Sequence, residues 1–170
     1  MIVQIAQAED YAAWLRLARE VEDLFGPMVG EESFQQTLLK NLRRGTALCV
    51  RDQDGAAGAD LLGGLFYSSK SPIYTISWLT VTHTCRQQGI GSKLVEAFLE
   101  RVAPPAEVVV TTLSAEMEGG EAARRFYLKL GFHPAEIVYH DYRGEMEAYQ
   151  VFRRTYEGGE PGTGGAGKPE

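Results

Sequence analysis

The pattern of apolar and polar positions along the first half of the chain predicts two helices set among strands. A short strand over residues 2–5 precedes apolar side chains at three-and-four spacing over 11–25, which is typical of an amphipathic helix. The Gly-Pro pair at 26–27 ends it, and a second helix begins near Glu31 and ends at Gly45. Segments rich in β-branched and aromatic residues then predict an antiparallel meander of three strands, TALCV, LLGGLFY and IYTISWLTV.

The second half of the chain continues the alternation of helices and strands. Residues 94–102 carry one apolar helical stripe, and the β-branched segment EVVVTTL predicts a buried strand. A helix over about 120–130 with Gly131 as its stop precedes two last strands, HPAEIVYHDY and EMEAYQVFR. This order predicts an α+β fold, also describable as three-layer α/β, in which about four helices flank a mixed, mostly antiparallel sheet of six to seven strands.

The length and composition indicate one domain without a metal or disulfide framework. The chain has 170 residues, and we expect one domain over residues 1–156, followed by a disordered Gly- and Pro-rich tail over 157–170. The two cysteines, Cys49 and Cys85, lack metal-ligand spacing, so no metal site is indicated. A net charge of −6 argues against nonspecific nucleic-acid binding, and no secretory or membrane segment stands out, which suggests a cytoplasmic protein.

The segment RQQGIGSKL follows a predicted strand directly and opens a predicted helix. In that arrangement the free backbone amides and the helix dipole converge on an anion, and glycines at 89 and 91 let the backbone approach it. The third glycine of the dinucleotide-binding motif GxGxxG would fall at position 94, which is Leu94 in this chain. The motif GxxxxGK(S/T) of nucleotide triphosphatases is also absent. The turn is therefore a candidate phosphate site of another kind, although two-glycine turns also occur without a ligand.

Two motifs in order resemble the GNAT acetyltransferases. RQQGIG after an apolar strand resembles motif A of that family, and AARRFYLKLGF downstream resembles its motif B. The resemblance implies acetyl-CoA as cosubstrate, with its pyrophosphate on the turn, Arg86 and Lys93 as supporting cations, and its acetyl carbonyl near the end of the preceding strand. The residues implied to bind the cofactor are Leu79, Thr80, Val81, Arg86, Gln87, Gln88, Gly89, Ile90, Gly91, Ser92, Lys93 and Phe126.

The resemblance also implies a mechanism, in which Tyr127 protonates the departing thiolate and a backbone amide near Thr80 or Val81 stabilises the oxyanion. Alternatively, Tyr127 is a core aromatic without a catalytic role, because its helical face carries other apolar residues. Many relatives carry a glutamate in the central strand as general base, but Ser77 and Trp78 stand there, so the base is water or a remote group.

Three other positions near the implied site are ambiguous. His83 suits a surface histidine better than a catalytic one, and Cys85 suits a small buried hydrophobe better than a nucleophile. Gly120 stands where relatives often place an asparagine that contacts the cofactor, which leaves the strength of cofactor binding open.

The acceptor is an unidentified primary amine by this resemblance. Acidic residues border the first two helices, but such charges more often form a solvated helix face. The candidates are Glu20, Glu22, Asp23, Glu31 and Glu32, beside Phe25, Pro27 and Met28, with Tyr139, His140, Tyr142 and Tyr149 near the last strands. An acetyl transfer enzyme is expected, with homodimers common in the family, and a non-catalytic acyl-CoA-binding module or a purely structural domain are the alternatives.

Overall fold

A computed structural model describes residues 1–157, and these residues form a mixed α/β structure of seven strands and five α-helices. Antiparallel pairing joins residues 4–5 to 48–49, 47–51 to 61–66, 106–113 to 149–156 and 133–142 to 145–153. The elements are β1 (Gln4–Ile5), α1 (Tyr11–Arg19), α2 (Glu22–Phe25), α3 (Glu32–Arg44), β2 (Ala47–Arg51), β3 (Leu61–Lys70), β4 (Ile73–Val81), α4 (Ile90–Leu99), β5 (Ala106–Leu113), α5 (Gly120–Lys129), β6 (His133–Tyr142) and β7 (Glu145–Tyr156). The predicted fold class is confirmed.

The first predicted helix differs from expectation. The pattern predicts one helix over 11–25, whereas α1 ends at Arg19 and the four-residue α2 follows. Val21 leaves the helical region at φ −112° and ψ 9°. The Glu22 carboxylate accepts hydrogen bonds from the amides of Met28 and Val29, at 2.7 and 2.9 Å. This carboxylate holds the loop after α2, so one of the acidic residues near the predicted acceptor border has a local structural role.

The chain forms two compact units, of which the first comprises Met1–Ser68 and Ile76–Glu100. Its strands lie in the order β1, β2, β3, β4. Side chains of α1 and α3, including the fully buried Trp14 and Leu38, pack with Ala47, Cys49 and Phe66 in one apolar core. Helix α4 contributes Phe98, whose ring lies 4.8 Å from that of Tyr67 between centroids.

Two adjacent glycines of β3 explain how helices approach this unit from both sides. A Cβ atom on Gly63 would lie 2.8 Å from Ile90 of α4, and one on Gly64 would lie 2.8 Å from Trp14 of α1. Successive residues of a strand point to opposite faces of a sheet. Helices α1 and α4 therefore pack on opposite faces of the first unit, and α4 is held at the depth that only a glycine permits.

Among the described residues, the second unit comprises Ser69–Thr75 and residues 101–157. Its strands lie in the order β5, β7, β6, with Val110 of β5 opposite Phe152 of β7. Helix α5 packs on them through Tyr127, whose ring lies 5.6 Å from that of Phe152 and 5.5 Å from that of Phe132. Within residues 1–157, no helix has the length and apolar character that a membrane crossing requires. The predicted tail, 157–170, lies outside the described residues apart from Glu157.

Candidate active site

The predicted phosphate turn connects the end of β4 at Val81 to the start of α4 at Ile90, as the sequence predicts. Gln87 and Gly89 both adopt the left-handed backbone region, with φ of 64° and 83°. A non-glycine residue in that region is uncommon and marks a tightly constrained turn. Residues 86–89 are exposed, whereas Ile90 is buried, so the turn faces solvent while the helix behind it is anchored.

The start of α4 offers backbone amides to an anion. The amide of Lys93 donates to the Gly89 carbonyl at 3.0 Å, which makes Gly89 the N-cap, and the amides that precede Lys93 have no partner within the helix. No side chain caps this end, and no acidic residue lies in the first turn. The positive end of the helix dipole is therefore available to a phosphate group at Ile90, Gly91 and Ser92.

The two predicted supporting cations make other contacts. The Arg86 Nε donates to the Val81 carbonyl at 3.3 Å, so its guanidinium folds back over the end of β4. The Lys93 Nζ donates to the Met1 carbonyl at 3.2 Å. Both side chains are exposed. Arg86 stays beside the turn, whereas Lys93 is directed at the start of the chain.

The end of β4 carries the residues predicted to meet the acetyl group. Thr80 is buried, whereas Leu79 and Val81 are half-buried. Trp78 stacks on Phe66, with ring centroids 5.8 Å apart and an interplanar angle of 6°. Trp78 also lies 5.6 Å from the ring of Trp14. Trp78 is thus part of an aromatic cluster and supplies no base, while Ser77 is exposed.

Tyr127 and Phe126 belong to the second unit. Their rings meet edge to face at 4.9 Å, and Phe126 is half-buried whereas Tyr127 is 5% exposed. Burial raises the pKa of the Tyr127 phenol above its ordinary value, because the interior disfavours the phenolate. The phenol therefore keeps its proton at neutral pH, as a general acid must.

A family model described as an acetyltransferase (GNAT) domain matches residues 43–134, which contain β2 to α5 and both motifs. The chain belongs to the GNAT acetyltransferase family. No curated protein sequence matches the chain significantly.

Solved GNAT structures share this fold at low identity. An N-acetyltransferase from Staphylococcus aureus Mu50 has a TM-score of 0.70 and 14% identity, with 91% of this chain and 97% of that chain covered. A ribosomal-protein-alanine N-acetyltransferase from Brucella melitensis has a TM-score of 0.69 and 16% identity, with coverage of 92% and 100%. Arabidopsis thaliana NAA60 in complex with acetyl-CoA has a TM-score of 0.67 and 18% identity, with coverage of 91% and 98%.

The glycine at the start of α5, where GNAT relatives often have asparagine, has a packing reason. A Cβ atom on Gly120 would lie 1.7 Å from the carbonyl oxygen of Ser114. No side chain fits that space, so α5 begins in direct backbone contact with the segment after β5. Ser114 itself is buried, and its hydroxyl has no hydrogen-bond partner among the described residues.

Contacts that no local sequence pattern signals surround the turn. Thr82 was not among the predicted site residues, yet its hydroxyl and the His83 side chain both contact the carboxylate of Glu20. Glu20 lies 62 residues away from Thr82 in the chain, and only the tertiary structure shows the pair.

Among the predicted acceptor aromatics, the Tyr149 hydroxyl donates to Glu147 at 2.9 Å, and burial together with that carboxylate raises the pKa of Tyr149 to about 12.

Proposed function

We propose that this GNAT protein is an acetyl-CoA-dependent N-acetyltransferase that moves an acetyl group to a primary amine by direct attack in a ternary complex. The observation that carries the proposal is the turn from Arg86 to Ser92, with uncapped amides at the start of α4 and no acidic side chain in its first turn. That geometry suits a pyrophosphate. The acetyl-CoA bound to structural neighbours of the same family supports the same cosubstrate here.

The reaction requires three groups. The unprotonated amine attacks the thioester carbonyl carbon, and a backbone amide near Thr80 or Val81 stabilises the negative charge that develops on the carbonyl oxygen. The carbon–sulfur bond then breaks, and the Tyr127 phenol gives its proton to the departing thiolate. The attacking nitrogen loses a proton to water, and the phenol recovers a proton from solvent, so the products are the acetylated amine and free coenzyme A.

The test is a calorimetric titration of the protein with acetyl-CoA, followed by an assay of free thiol release against a panel of primary amines. The panel contains peptides with free N-termini, lysine derivatives, polyamines and amino sugars. We expect binding at micromolar concentrations and thiol release with at least one class of amine. Absence of binding would contradict the cosubstrate assignment.

A non-catalytic acyl-CoA-binding module is the alternative, and the packed Trp78 in the strand where many relatives carry a base favours it. Binding without thiol release on the whole panel would support that alternative.

The same proposal includes one folded domain over residues 1–156, a cytoplasmic location and a homodimer. Limited proteolysis, cell fractionation and sedimentation test these three points separately from the chemistry.

A further inference from the structure

Glu20 lies directly after α1, and its carboxylate accepts hydrogen bonds from two successive residues that follow β4. The Thr82 hydroxyl lies 2.9 and 3.1 Å from the two carboxylate oxygens. The His83 amide donates to Oε2 at 3.2 Å, and the His83 Nδ1 lies 2.7 Å from the same oxygen. The side chain directly after α1 therefore holds three donors at the start of the segment that leads into the predicted phosphate turn.

The helix that Glu20 directly follows is firmly anchored. Trp14, Leu17 and Ala18 of α1 are at most 2% exposed, and Trp14 packs against the β3 backbone at Gly64. Glu20 itself is about one-quarter exposed, so its carboxylate is partly shielded from water. A fixed carboxylate with several donors constrains its partners more than a free surface charge does.

The segment between β4 and the turn is held at further points. The Thr82 amide donates to the Leu62 carbonyl at 2.8 Å, and the Cys85 amide donates to the Thr82 carbonyl at 3.0 Å. Arg86 folds back onto Val81. Because Gln87 follows at positive φ, the path of Thr82–Arg86 sets where the strained part of the turn begins. The far side of the turn is fixed by the buried Ile90 and Leu94 of α4.

We propose that Glu20 is a positioning residue for acetyl-CoA, which acts through Thr82 and His83 to hold the entrance of the phosphate-binding turn in its ligand-ready geometry. This inference rests on the proposed function. Backbone amides bind a pyrophosphate well only if they already point at it, since ordering a loose turn upon binding reduces affinity. The histidine serves here as a hydrogen-bond donor, and Glu20 is occupied by these donors and does not bind the acceptor amine.

The experiment compares acetyl-CoA affinity and steady-state kinetics for the full chain and its variants. Glu20→Ala and Thr82→Val remove the contact from either side, His83→Ala removes the imidazole, and His83→Asn keeps a side-chain N–H donor near the position of Nδ1. The matched control is Asp60→Asn, which removes the negative charge from the exposed ion pair of 2.7 Å between Arg16 of α1 and Asp60 and leaves Glu20 intact. Thermal unfolding of each variant monitors the fold.

We expect Glu20→Ala to raise the Kd and KM for acetyl-CoA about tenfold, because hydrogen bonds to a charged group are lost. Thr82→Val should raise them by a smaller factor. The kcat and the KM for the amine should change less than about twofold in these variants, and His83→Asn should retain most of the affinity that His83→Ala loses. Asp60→Asn should behave as the wild type does.

Three results distinguish failure of the proposed function from failure of the proposed role of Glu20. A wild-type chain that binds no acetyl-CoA would contradict both the proposed function and this inference. A wild-type chain that binds, with an unchanged Kd in Glu20→Ala, overturns the inference alone. If His83→Asn keeps the Kd but loses kcat, with a flattened pH profile, then His83 accepts a proton during turnover, which also contradicts the positioning role.

Discussion

At the scale of a single residue, Tyr127 packs in the aromatic core of the second unit. We also propose that it protonates the departing thiolate. Its ring contacts Phe126, Phe132 and Phe152, while burial raises the pKa of its phenol. Tyr127→Phe keeps the ring and removes the acidic proton. We expect kcat to fall roughly 100-fold, with little change in the Kd for acetyl-CoA or in thermal stability.

Thiol release at saturating acetyl-CoA and amine measures this effect. Phe132→Leu is the control, because it alters another ring that Tyr127 contacts, leaves the phenol in place and lies outside the predicted cofactor-binding set. Unchanged kcat in Tyr127→Phe would leave Tyr127 as a core aromatic only, which is the reading that its helical face also allows.

Gly120 shows how one missing side chain fixes a contact. Because its Cβ position lies 1.7 Å from the Ser114 carbonyl oxygen, Gly120→Ala forces the start of α5 away from the segment after β5. We expect a loss of about 1–3 kcal/mol in the free energy of unfolding, as for other overpacked sites. Gly30→Ala is the matched control, because nothing lies within 4 Å of its Cβ position. Urea denaturation of both variants checks this, and equal stabilities would contradict the close approach.

At the scale of an element, the predicted phosphate turn depends on the backbone conformation of Gly89, the N-cap of α4. A Cβ on Gly89 meets no atom within 4 Å, but its φ of 83° is costly for other residues. Gly89→Ala should therefore lose about 1–2 kcal/mol of stability through backbone strain alone. If the turn relaxes to relieve that strain, its amides rotate, and acetyl-CoA affinity should fall about tenfold.

Gly89→Asn is the informative comparison, because asparagine tolerates positive φ better than alanine does. It should retain more affinity than Gly89→Ala in the same calorimetric titration. Equal affinity in both variants and the wild type would show that the turn conformation does not determine cofactor binding.

At the scale of the whole molecule, a buried ion pair joins distant parts of the chain within the first unit. Arg51 of β2 makes two hydrogen bonds to Asp10, at 3.0 and 2.6 Å, and both side chains are at most 2% exposed. The amides of Gln7 and Gly58 donate to the same carboxylate at 2.7 and 2.9 Å. Removing one partner leaves the other charge buried, so Asp10→Asn should cost about 3–5 kcal/mol of unfolding free energy.

The pH dependence of this pair has a definite sign. Burial alone would raise the pKa of Asp10, but the hydrogen bonds from Arg51, Gln7 and Gly58 outweigh it and hold the pKa below its ordinary value. The stabilisation is then complete above the unfolded pKa of about 3.9 and is lost as the pH falls through the lower folded value. Denaturant titrations at pH 7 and pH 3 should therefore show a smaller gap between wild type and Asp10→Asn at the lower pH. Asp60→Asn, which alters an exposed pair, should show little change at either pH.

The sequence by itself determined the order and type of nearly every element, because each depends on a local pattern. The apolar stripe before Val102, the β-branched strand EVVVTTL and the stops at Gly45 and Gly131 are all visible in short windows of sequence. The sequence also located both motifs, because the strand, the glycine-containing turn and the helix of such a motif are contiguous in the chain. Sequence periodicity missed the break after Arg19, because the apolar residues keep their helical spacing across it, whereas the contacts of the Glu22 carboxylate with the Met28 and Val29 amides are not local in pattern.

Only the tertiary structure decided which distant side chains meet, because contacts between residues far apart in sequence leave no local pattern. The pairing of Glu20 with Thr82 and His83 places an apparent surface charge against the segment that leads into the predicted phosphate turn. The contact of Lys93 with Met1 directs a predicted phosphate cation elsewhere. The requirement for glycine at 120 follows from a carbonyl six residues earlier, which only the folded backbone brings within contact. Local patterns thus specify the elements, whereas the partners of each polar side chain depend on how those elements pack.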